Sequence, residues 1–168
     1  MFRVKLSVVC VSLLATVALL IGGCSSTPED KTAGMSPNKL YAEAKDEMSS
    51  GQWERAILML EKLEARAAGT PLAQQAQLDK AYAQYKSAEP AQALATLERF
   101  VKLHPVSPAL DYAIYLRGIV NFNDDLGLFA RFTRQDLAER DQKASKESFE
   151  AFKELVERFP ESRYAADS

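Results

Sequence analysis

Small residues recur along this sequence at a spacing of 37 positions. Ala44, Ala81 and Gly118 form one such series, and Ala56 and Ala93 form a second. Small side chains are needed where two packed helices approach each other closely, because protein interiors leave no spare volume. A period in the mid-thirties is typical of arrays of helical hairpins. The spacing therefore predicts stacked pairs of helices.

Prolines mark the points at which the helices are predicted to begin. Ser36-Pro37, Thr70-Pro71 and Ser107-Pro108 each precede a helical pattern, and Ser or Thr suits the N-cap while proline suits the first helical position. Further breaks are indicated at Gly51, Glu89-Pro90 and His104-Pro105. The predicted helices are 37–50, 53–67, 71–87, 90–103, 108–122 and 142–159, with a seventh that begins near Glu161.

Apolar residues follow these segments at steps of three and four. Leu40, Ala44 and Met48 form one stripe, and Ala56 and Leu60 belong to another. Such steps place each set on one face of a helix, and no alternating pattern of the strand type competes. We therefore predict an all-α fold, a solenoid of antiparallel helix pairs with about three repeats over residues 36–168.

The third pair departs from the period. If Ser148 takes the place of Ala93, its second helix arrives 18 residues late, and the surplus lies at about residues 123–142. Long loops inside compact repeats are uncommon and often functional. A partner-binding role is therefore one interpretation, and plugging of the hairpin edge is the other. The candidate partner-binding residues of this insertion are Leu128, Phe129, Arg131 and Phe132.

Composition excludes several classes of function. The net charge of -2 gives no basis for non-specific nucleic-acid binding. One histidine and two cysteines cannot supply the ligands of a zinc site. A hydrolase would have only His104 as a base, and the chain contains no Gly-x-Ser-x-Gly motif. We therefore expect a binding protein with no metal, no cofactor, no catalytic residue and no enzyme activity.

The N-terminal residues have the organisation of a secretory signal. Arg3 and Lys5 precede an apolar run from Leu6 to Ile21, which is short beside the roughly 20 residues of a transmembrane helix. The run ends in Ile21-Gly22-Gly23-Cys24, which resembles the lipobox of bacterial lipoproteins. An ordinary signal peptide or a membrane anchor, with Cys24 incidental, is the alternative.

The lipobox resemblance implies a lipid anchor. Residues 1–23 would be removed as the signal peptide, and Cys24 would carry a diacylglycerol and a fatty acid. Residues 24–35 are polar and small, which is typical of a flexible tether. Ser25 follows Cys24, and by resemblance to Gram-negative sorting this favours the periplasmic face of the cell outer membrane.

The helical segments resemble the tetratricopeptide repeat. Residues 51–57, Gly-Gln-Trp-Glu-Arg-Ala-Ile, resemble the turn of that family into its second helix. Residues 93–105, which end in His104-Pro105, resemble a second helix with its closing proline, and Arg158-Phe159-Pro160 closes a third. The resemblance supports the predicted solenoid.

A narrower resemblance covers most of residues 38–168. The signal, lipobox, repeats and insertion together resemble the lipoproteins of the outer-membrane β-barrel assembly machinery. The most specific stretches are 82–90, 99–105, 111–118, 127–132, 140–141 and 159–165. This resemblance implies a lipid-anchored scaffold that binds the barrel-forming subunit, other lipoproteins of the complex and unfolded outer-membrane proteins, and no nucleic acid. The alternative is a pilotin-type tetratricopeptide lipoprotein for a secretin, which should lack the stretch 127–132.

Two departures from that family limit the comparison. Residues 67–70 are Ala-Ala-Gly-Thr, where the family usually continues with Tyr-Pro-Phe-Gly. The aromatic contact that relatives make at this first turn is therefore missing, and no role of it is assigned to this chain. The family also continues for further repeats, whereas this chain stops at Ser168 within a fourth. We therefore expect a fragment or a truncated gene product without the partner contacts of the later repeats.

Family geometry implies a concave face formed by the first helix of each pair. Tyrosine suits peptide recognition there, because it combines a large apolar surface with a polar tip. The implied ligand is the extended C-terminal signal of an unfolded barrel protein, whose carboxylate Lys45, Lys86 and Arg117 would attract. Packing between repeats is the alternative role for each tyrosine. The candidate peptide-binding residues are Tyr41, Lys45, Tyr82, Tyr85, Lys86, Tyr112, Tyr115 and Phe122, with Met48, Leu78 and Ile119 beside them.

Overall fold

The computed structural model describes residues 32–124 and 137–168. The chain divides into two compact units, Met1–Ala33 and Gly34–Ser168. Only residues 32 and 33 of the first unit are described, so the fold below is that of the second. The predicted signal peptide, the lipid-carrying Cys24 and most of the tether lie outside the described residues.

The described part of the second unit is all-α and contains no strand. Its helices are α1 (Pro37–Ser49), α2 (Trp53–Arg66), α3 (Pro71–Lys86), α4 (Pro90–Leu103), α5 (Leu110–Asp124) and α6 (Leu137–Arg158). Each helix packs on the one before it and the one after it. The predicted order of α1/α2, α3/α4 and α5/α6 pairs is therefore confirmed.

Two predicted helix starts are wrong, and one predicted helix does not form. Helix α5 begins at Leu110 rather than at 108, because Ser107 and the two residues after it form a turn closed by the Leu110 N–H on the Ser107 carbonyl. Helix α6 begins at Leu137 rather than at 142, since residues 137–142 are mostly strong helix formers despite their charge. The seventh helix near Glu161 is absent from this segment, and a 3₁₀ turn occupies Ala165–Asp167 instead.

The helix starts follow from local side-chain chemistry. The Ser36 hydroxyl accepts a hydrogen bond from the Lys39 N–H at 3.3 Å, and the Thr70 hydroxyl accepts one from the Ala73 N–H at 3.2 Å. Both contacts satisfy N–H groups that a first helical turn leaves unpaired. Gly51 ends the first turn after α1 with a φ of 72°, a conformation that glycine adopts without a steric penalty.

The small residues lie where the two helices of a pair meet. Ala44, Ala56, Ala81 and Ala93 are completely buried. In the third pair a Cβ on Gly118 would lie 2.5 Å from the Phe152 ring, and the Gly118 carbonyl accepts a hydrogen bond from the Ser148 hydroxyl at 2.9 Å. Ser148 thus takes the place of Ala93, as the spacing predicted.

The core is continuous from one pair to the next. Leu40, Leu60 and Leu63 fill the first pair. One further cluster joins the second pair to the third, with residues such as Phe100 from α4 and Val120 from α5. Complete burial of a side chain as large as Phe100 contributes about 2–3 kcal/mol. Apolar burial between neighbouring pairs therefore holds the array together.

A buried ionic contact adds to the junction between the first and second pairs. The Lys80 ammonium lies 2.6 Å from Glu64 Oε1, with its side chain only 7% exposed, and the Arg99 guanidinium lies 3.0 Å from Oε2. The angles at Glu64 Oε1 do not meet those of a hydrogen bond. Charge attraction therefore dominates its contact with Lys80. The Glu64 carboxylate therefore links α2 to both α3 and α4.

The insertion in the third pair has bounds that differ from those predicted. Residues 123–124 belong to α5 and residues 137–142 to α6. Leu128, Phe129, Arg131 and Phe132 lie outside the described residues. None of the helices described is long and apolar enough to cross a membrane.

Candidate peptide groove on the first helices of the pairs

The predicted tyrosines lie half-buried along the first helices of the three pairs. Tyr82, Tyr85 and Tyr112 pack against the same core cluster, which places residues of α3 and α5 on one continuous surface. We call the row formed by Trp53, Tyr82, Tyr85, Tyr112 and Tyr115 the aromatic strip. Its rings rest on the core and remain partly accessible to a ligand.

Two residues beside the predicted groove have a different role. Met48 is 8% exposed and Leu78 is 1% exposed. Both belong to core clusters, Met48 within the first pair and Leu78 between the second and third. Met48 therefore serves mainly in core packing, while Leu78 packs in the core and also lines a groove between α3 and α5. Helical spacing alone does not distinguish a core edge from a groove floor.

A polar joint connects α1 to α3 at the edge of the strip. The Tyr41 hydroxyl donates a hydrogen bond to Asp79 Oδ2 at 2.8 Å, and the Gln75 amide donates one to Oδ1 at 3.3 Å. The Lys45 ammonium lies 3.5 Å from the same Oδ1. Asp79 is 8% exposed, so these three partners replace the water that an exposed carboxylate would bind. Burial, and then the hydrogen bond and charge of Asp79, raise the pKa of the Tyr41 hydroxyl.

An aromatic corner lies where α2 begins. The rings of Trp53 and Tyr82 meet edge to face with centroids 6.1 Å apart, and Tyr82 and Tyr85 meet at 6.4 Å. The Lys86 ammonium lies 5.9 Å from the centroid of the Trp53 ring, within the range of a cation–π contact. Burial, and then the charge of Tyr82, raise the pKa of the Tyr85 hydroxyl.

A second aromatic group lies on α5. Tyr115 stacks on Tyr164 with centroids 4.9 Å apart and planes at 22°, and Tyr112 meets Tyr164 at 5.4 Å. Tyr115 also meets Phe152 of α6 at 6.2 Å. Burial first, and then the charge of Asp79, raise the pKa of the Tyr112 hydroxyl.

An open groove of about 480 Å³ lies between α3 and α5. Leu78 forms an apolar part of its wall, while Asp79 and Tyr112 supply polar groups. Such a surface offers apolar area and a few fixed hydrogen-bonding groups, the usual content of a binding site. The side chains that line it include Gln75, Leu78, Asp79, Asp111, Tyr112 and Tyr164.

The predicted cations differ in their availability. Lys45 is paired with Asp79. Arg117 is bonded to Glu154 of α6 and lines a separate cleft to which no tyrosine contributes. Lys86 is exposed and has no carboxylate partner among the described residues. Of the three, Lys86 is therefore the best placed to receive the carboxylate of a ligand.

The remaining predicted residue of this surface is Phe122. Its side chain is 55% exposed near the end of α5 and makes no ring contact with the described part of the chain. No group of three or more His, Cys, Asp or Glu side chains that could hold a metal lies in residues 32–124 and 137–168.

Sequence reasoning missed Asp79 and Tyr164. Asp79 lies three residues before Tyr82 and hence on the same face of α3, so an acid beside a predicted groove tyrosine was a usable signal. Tyr164 was the one tyrosine left out of the predicted set, and its contacts with Tyr112 and Tyr115 required the tertiary structure.

The stacked helix pairs, which meet at small residues, define a helical-repeat protein. The chain belongs to the tetratricopeptide-repeat family, whose sequence profile, described as tetratricopeptide repeat, matches residues 28–168.

Individual relatives share extensive sequence identity with this chain. The outer membrane protein assembly factor BamD of Neisseria gonorrhoeae is 47% identical over 155 residues, which cover 92% of this chain and 58% of the relative. BamD of Vibrio cholerae is 38% identical over 149 residues, covering 89% and 61%. BamD of Xylella fastidiosa (strain Temecula1) is 35% identical over 156 residues, covering 93% and 53%. This chain thus spans little more than half the length of the curated relatives it matches.

Proposed function

We propose that this chain is a lipid-anchored component of the outer-membrane protein assembly complex that binds and tethers partner subunits and unfolded β-barrel substrates. The names of its relatives support a role in outer-membrane protein assembly. The chain would act by binding alone, without a catalytic residue or a metal. Restriction to a membrane surface raises the effective concentration of the bound partners, and this concentration is the proposed contribution to folding and insertion.

The aromatic strip carries the proposal for substrate binding. Its half-exposed rings offer large contact area at low cost in conformational entropy, and the unfolded substrate supplies an extended segment with alternating side chains. The ring edges of Tyr82, Tyr85 and Tyr112 would contact apolar side chains of the segment. Lys86, which has no acid partner in the described residues, would receive its terminal carboxylate.

The anchor and the insertion complete the proposal. Cys24 would hold the chain at the periplasmic face of the outer membrane through its acyl chains, each buried CH₂ of which contributes about 0.8 kcal/mol. Leu128, Phe129, Arg131 and Phe132 would contact the barrel-forming subunit or another lipoprotein of the complex.

A peptide-binding experiment tests the groove. The probe is the C-terminal peptide of an outer-membrane barrel protein that ends in an aromatic residue, with either a free carboxylate or an amide. The full chain is purified in detergent, and the Kd is measured by fluorescence anisotropy beside the Tm. We expect Tyr85→Ala to weaken both peptides about tenfold, since an interface tyrosine contributes on the order of 1–2 kcal/mol.

Lys86→Gln separates charge recognition from packing. It should weaken the free-carboxylate peptide several-fold and leave the amidated peptide unchanged, because only the former presents an anion to Lys86. Lys102→Gln, on the exposed last turn of α4, is the matched control and should alter neither Kd. If Tyr85→Ala remains folded and binds both peptides with unchanged Kd, the groove assignment is refuted.

The anchor is tested in a Gram-negative host. Cys24→Ser should remove the mass of the acyl chains, as measured by mass spectrometry of the purified protein, while Cys10→Ser should retain it. An acylated mass for the Cys24→Ser protein equal to that of the parent would contradict lipidation at this residue.

A further inference from the structure

A second cleft lies apart from the aromatic strip. It has a volume of about 650 Å³ and is bounded by α4, α5 and α6. None of its lining residues also lines the groove between α3 and α5. The proposed peptide groove therefore leaves this cleft without a function.

The floor of the cleft holds an amide that reaches its solvent and has no partner among the described residues. Asn121 is 5% exposed and lines the cleft, and its side chain makes no hydrogen bond with the described residues. An amide both donates and accepts, so its natural complement is another amide, such as that of a polypeptide backbone.

The cation beside Asn121 is already neutralised. An Arg117 guanidinium nitrogen lies 2.5 Å from Glu154 Oε2, and Arg158 bonds the other carboxylate oxygen. Burial alone would raise the pKa of the Glu154 carboxyl, but the hydrogen bonds and charges of Arg117 and Arg158 lower it, so this carboxylate stays ionised. Arg117 therefore gives the cleft no net attraction for an anion.

Acids on opposite walls remain unpaired. Glu98 on α4 and Glu150 on α6 both line the cleft, and neither has a cation within 4.0 Å among residues 32–124 and 137–168. Lys143 is engaged with Glu147 at 3.6 Å, which leaves Lys146 as a single unpaired base on the lining. The unpaired groups thus carry an excess of negative charge.

We infer that this cleft binds an extended polypeptide segment that carries a lysine or arginine, with its backbone on the Asn121 amide and its cation between Glu98 and Glu150. Leu94 and Ala151, which also line the cleft, supply apolar contact for the stem of that side chain. A segment with acidic side chains meets repulsion from the same two glutamates.

The test uses two unstructured probe peptides. One is a capped Gly-Ala peptide with interspersed lysines, and the other has a glutamate in place of each lysine. Binding to the full chain in detergent is followed by fluorescence anisotropy at low and at moderate salt. We expect the lysine peptide to bind saturably and more weakly as salt rises, and the glutamate peptide to bind at least about tenfold more weakly.

Variants assign the binding to the cleft. Glu98→Gln with Glu150→Gln keeps exposed side chains of the same shape, so the fold is retained, and should weaken the lysine peptide about tenfold. Asn121→Leu should weaken both peptides. Tyr85→Ala, on the aromatic strip, and Glu61→Gln, on the exposed face of α2, are the controls and should leave the Kd unchanged.

Three outcomes would overturn this inference. They are absence of saturable binding, equal binding of the two probe peptides, and loss of lysine-peptide affinity in Tyr85→Ala rather than in the glutamate double variant. Because the cleft and the groove share no lining residue, failure here would leave the proposed groove function untouched, and the reverse also holds.

Discussion

The Tyr41 hydroxyl donates a hydrogen bond at 2.8 Å to the carboxylate of Asp79, 38 residues further along the chain. This contact joins the first helix of one pair to the first helix of the next, at the edge of the aromatic strip. Asp79 is only 8% exposed, so each partner of its carboxylate matters for both stability and the shape of the groove.

Removal of the hydroxyl should destabilise the fold modestly. We expect Tyr41→Phe to lower the free energy of unfolding by about 1–2 kcal/mol, since a buried carboxylate loses one of its donors. Urea denaturation followed by circular dichroism measures this change. Tyr85→Phe, whose hydroxyl makes no hydrogen bond in the described structure, should change stability by less than about 0.5 kcal/mol. Equal stability of Tyr41→Phe and the parent would mean that the contact contributes nothing.

The half-buried Tyr41 and Tyr112 should make stability fall at alkaline pH. The ordinary pKa of tyrosine is 10.0, and burial raises the pKa of Tyr41 and Tyr112 above it in the folded chain. Above about pH 10 the unfolded chain loses these protons while the folded chain keeps them, so the unfolded state binds fewer protons and stability declines. The contribution is fully present below about pH 10 and is lost as pH rises toward the folded values.

A matched pair of variants isolates that effect. The free energy of unfolding of Tyr41→Phe with Tyr112→Phe should decline less between about pH 9 and pH 11 than that of the parent, as measured by urea denaturation at each pH. Parallel declines in the two proteins would assign the alkaline loss to other groups.

The Glu64 carboxylate should be essential to the junction of the first two pairs. We expect Glu64→Gln to lower the free energy of unfolding by about 3 kcal/mol, because Lys80 is then a buried charge without a counter-charge. Urea denaturation provides the measurement, with Glu61→Gln on the exposed face of the same helix as control. Glu64→Gln combined with Lys80→Met should recover most of the loss, since no buried charge remains. A double variant less stable than Glu64→Gln alone would contradict this account.

Gly118 should tolerate no side chain. An added Cβ would lie 2.5 Å from the Phe152 ring, and overpacking of this kind costs about 1–3 kcal/mol. Alanine also favours a helix over glycine by about 1 kcal/mol, so the clash must exceed that gain for Gly118→Ala to be destabilising. We expect a net loss in Tm for Gly118→Ala and a smaller loss when Phe152→Leu is added. Additive effects of the two substitutions would show that they do not touch.

Ala88 is a site for stabilisation. It has a φ of 62° in the turn between α3 and α4, a left-handed conformation that costs a residue with a Cβ roughly 1 kcal/mol. Ala88→Gly should therefore raise the free energy of unfolding by up to about 0.5–1 kcal/mol, after the entropy cost of glycine in the unfolded chain. A thermal melt measures the gain. Ala95→Gly, at an exposed position inside α4, is the control and should lower the Tm instead, because glycine weakens a helix interior.

Much of the fold could be predicted because its signals are local. Ser36 and Thr70 cap their helices with their own side chains, and the period of 37 identified the crossing residues, including Ser148 after an irregular interval. The start of α6 was missed because charged residues were taken as a loop signal, although lysine, glutamate and arginine are good helix formers.

The candidate site was less predictable, because it depends on residues distant in sequence. The tyrosines were identified by their chemistry and their helix positions. The side chains that pair with the charged residues beside them were not identified. Arg117 was expected near the tyrosines and instead pairs with Glu154, while Asp79 was not expected in the site at all.

The sequence by itself determined where helices begin, where they end and which residues allow two of them to meet closely, since these depend on backbone preferences and side-chain size within a few residues. Only the tertiary structure decided which charges are neutralised, which remain available and which apolar residues are covered. Electrostatic pairing and burial depend on distances across helices, and the packing of the whole array sets those distances.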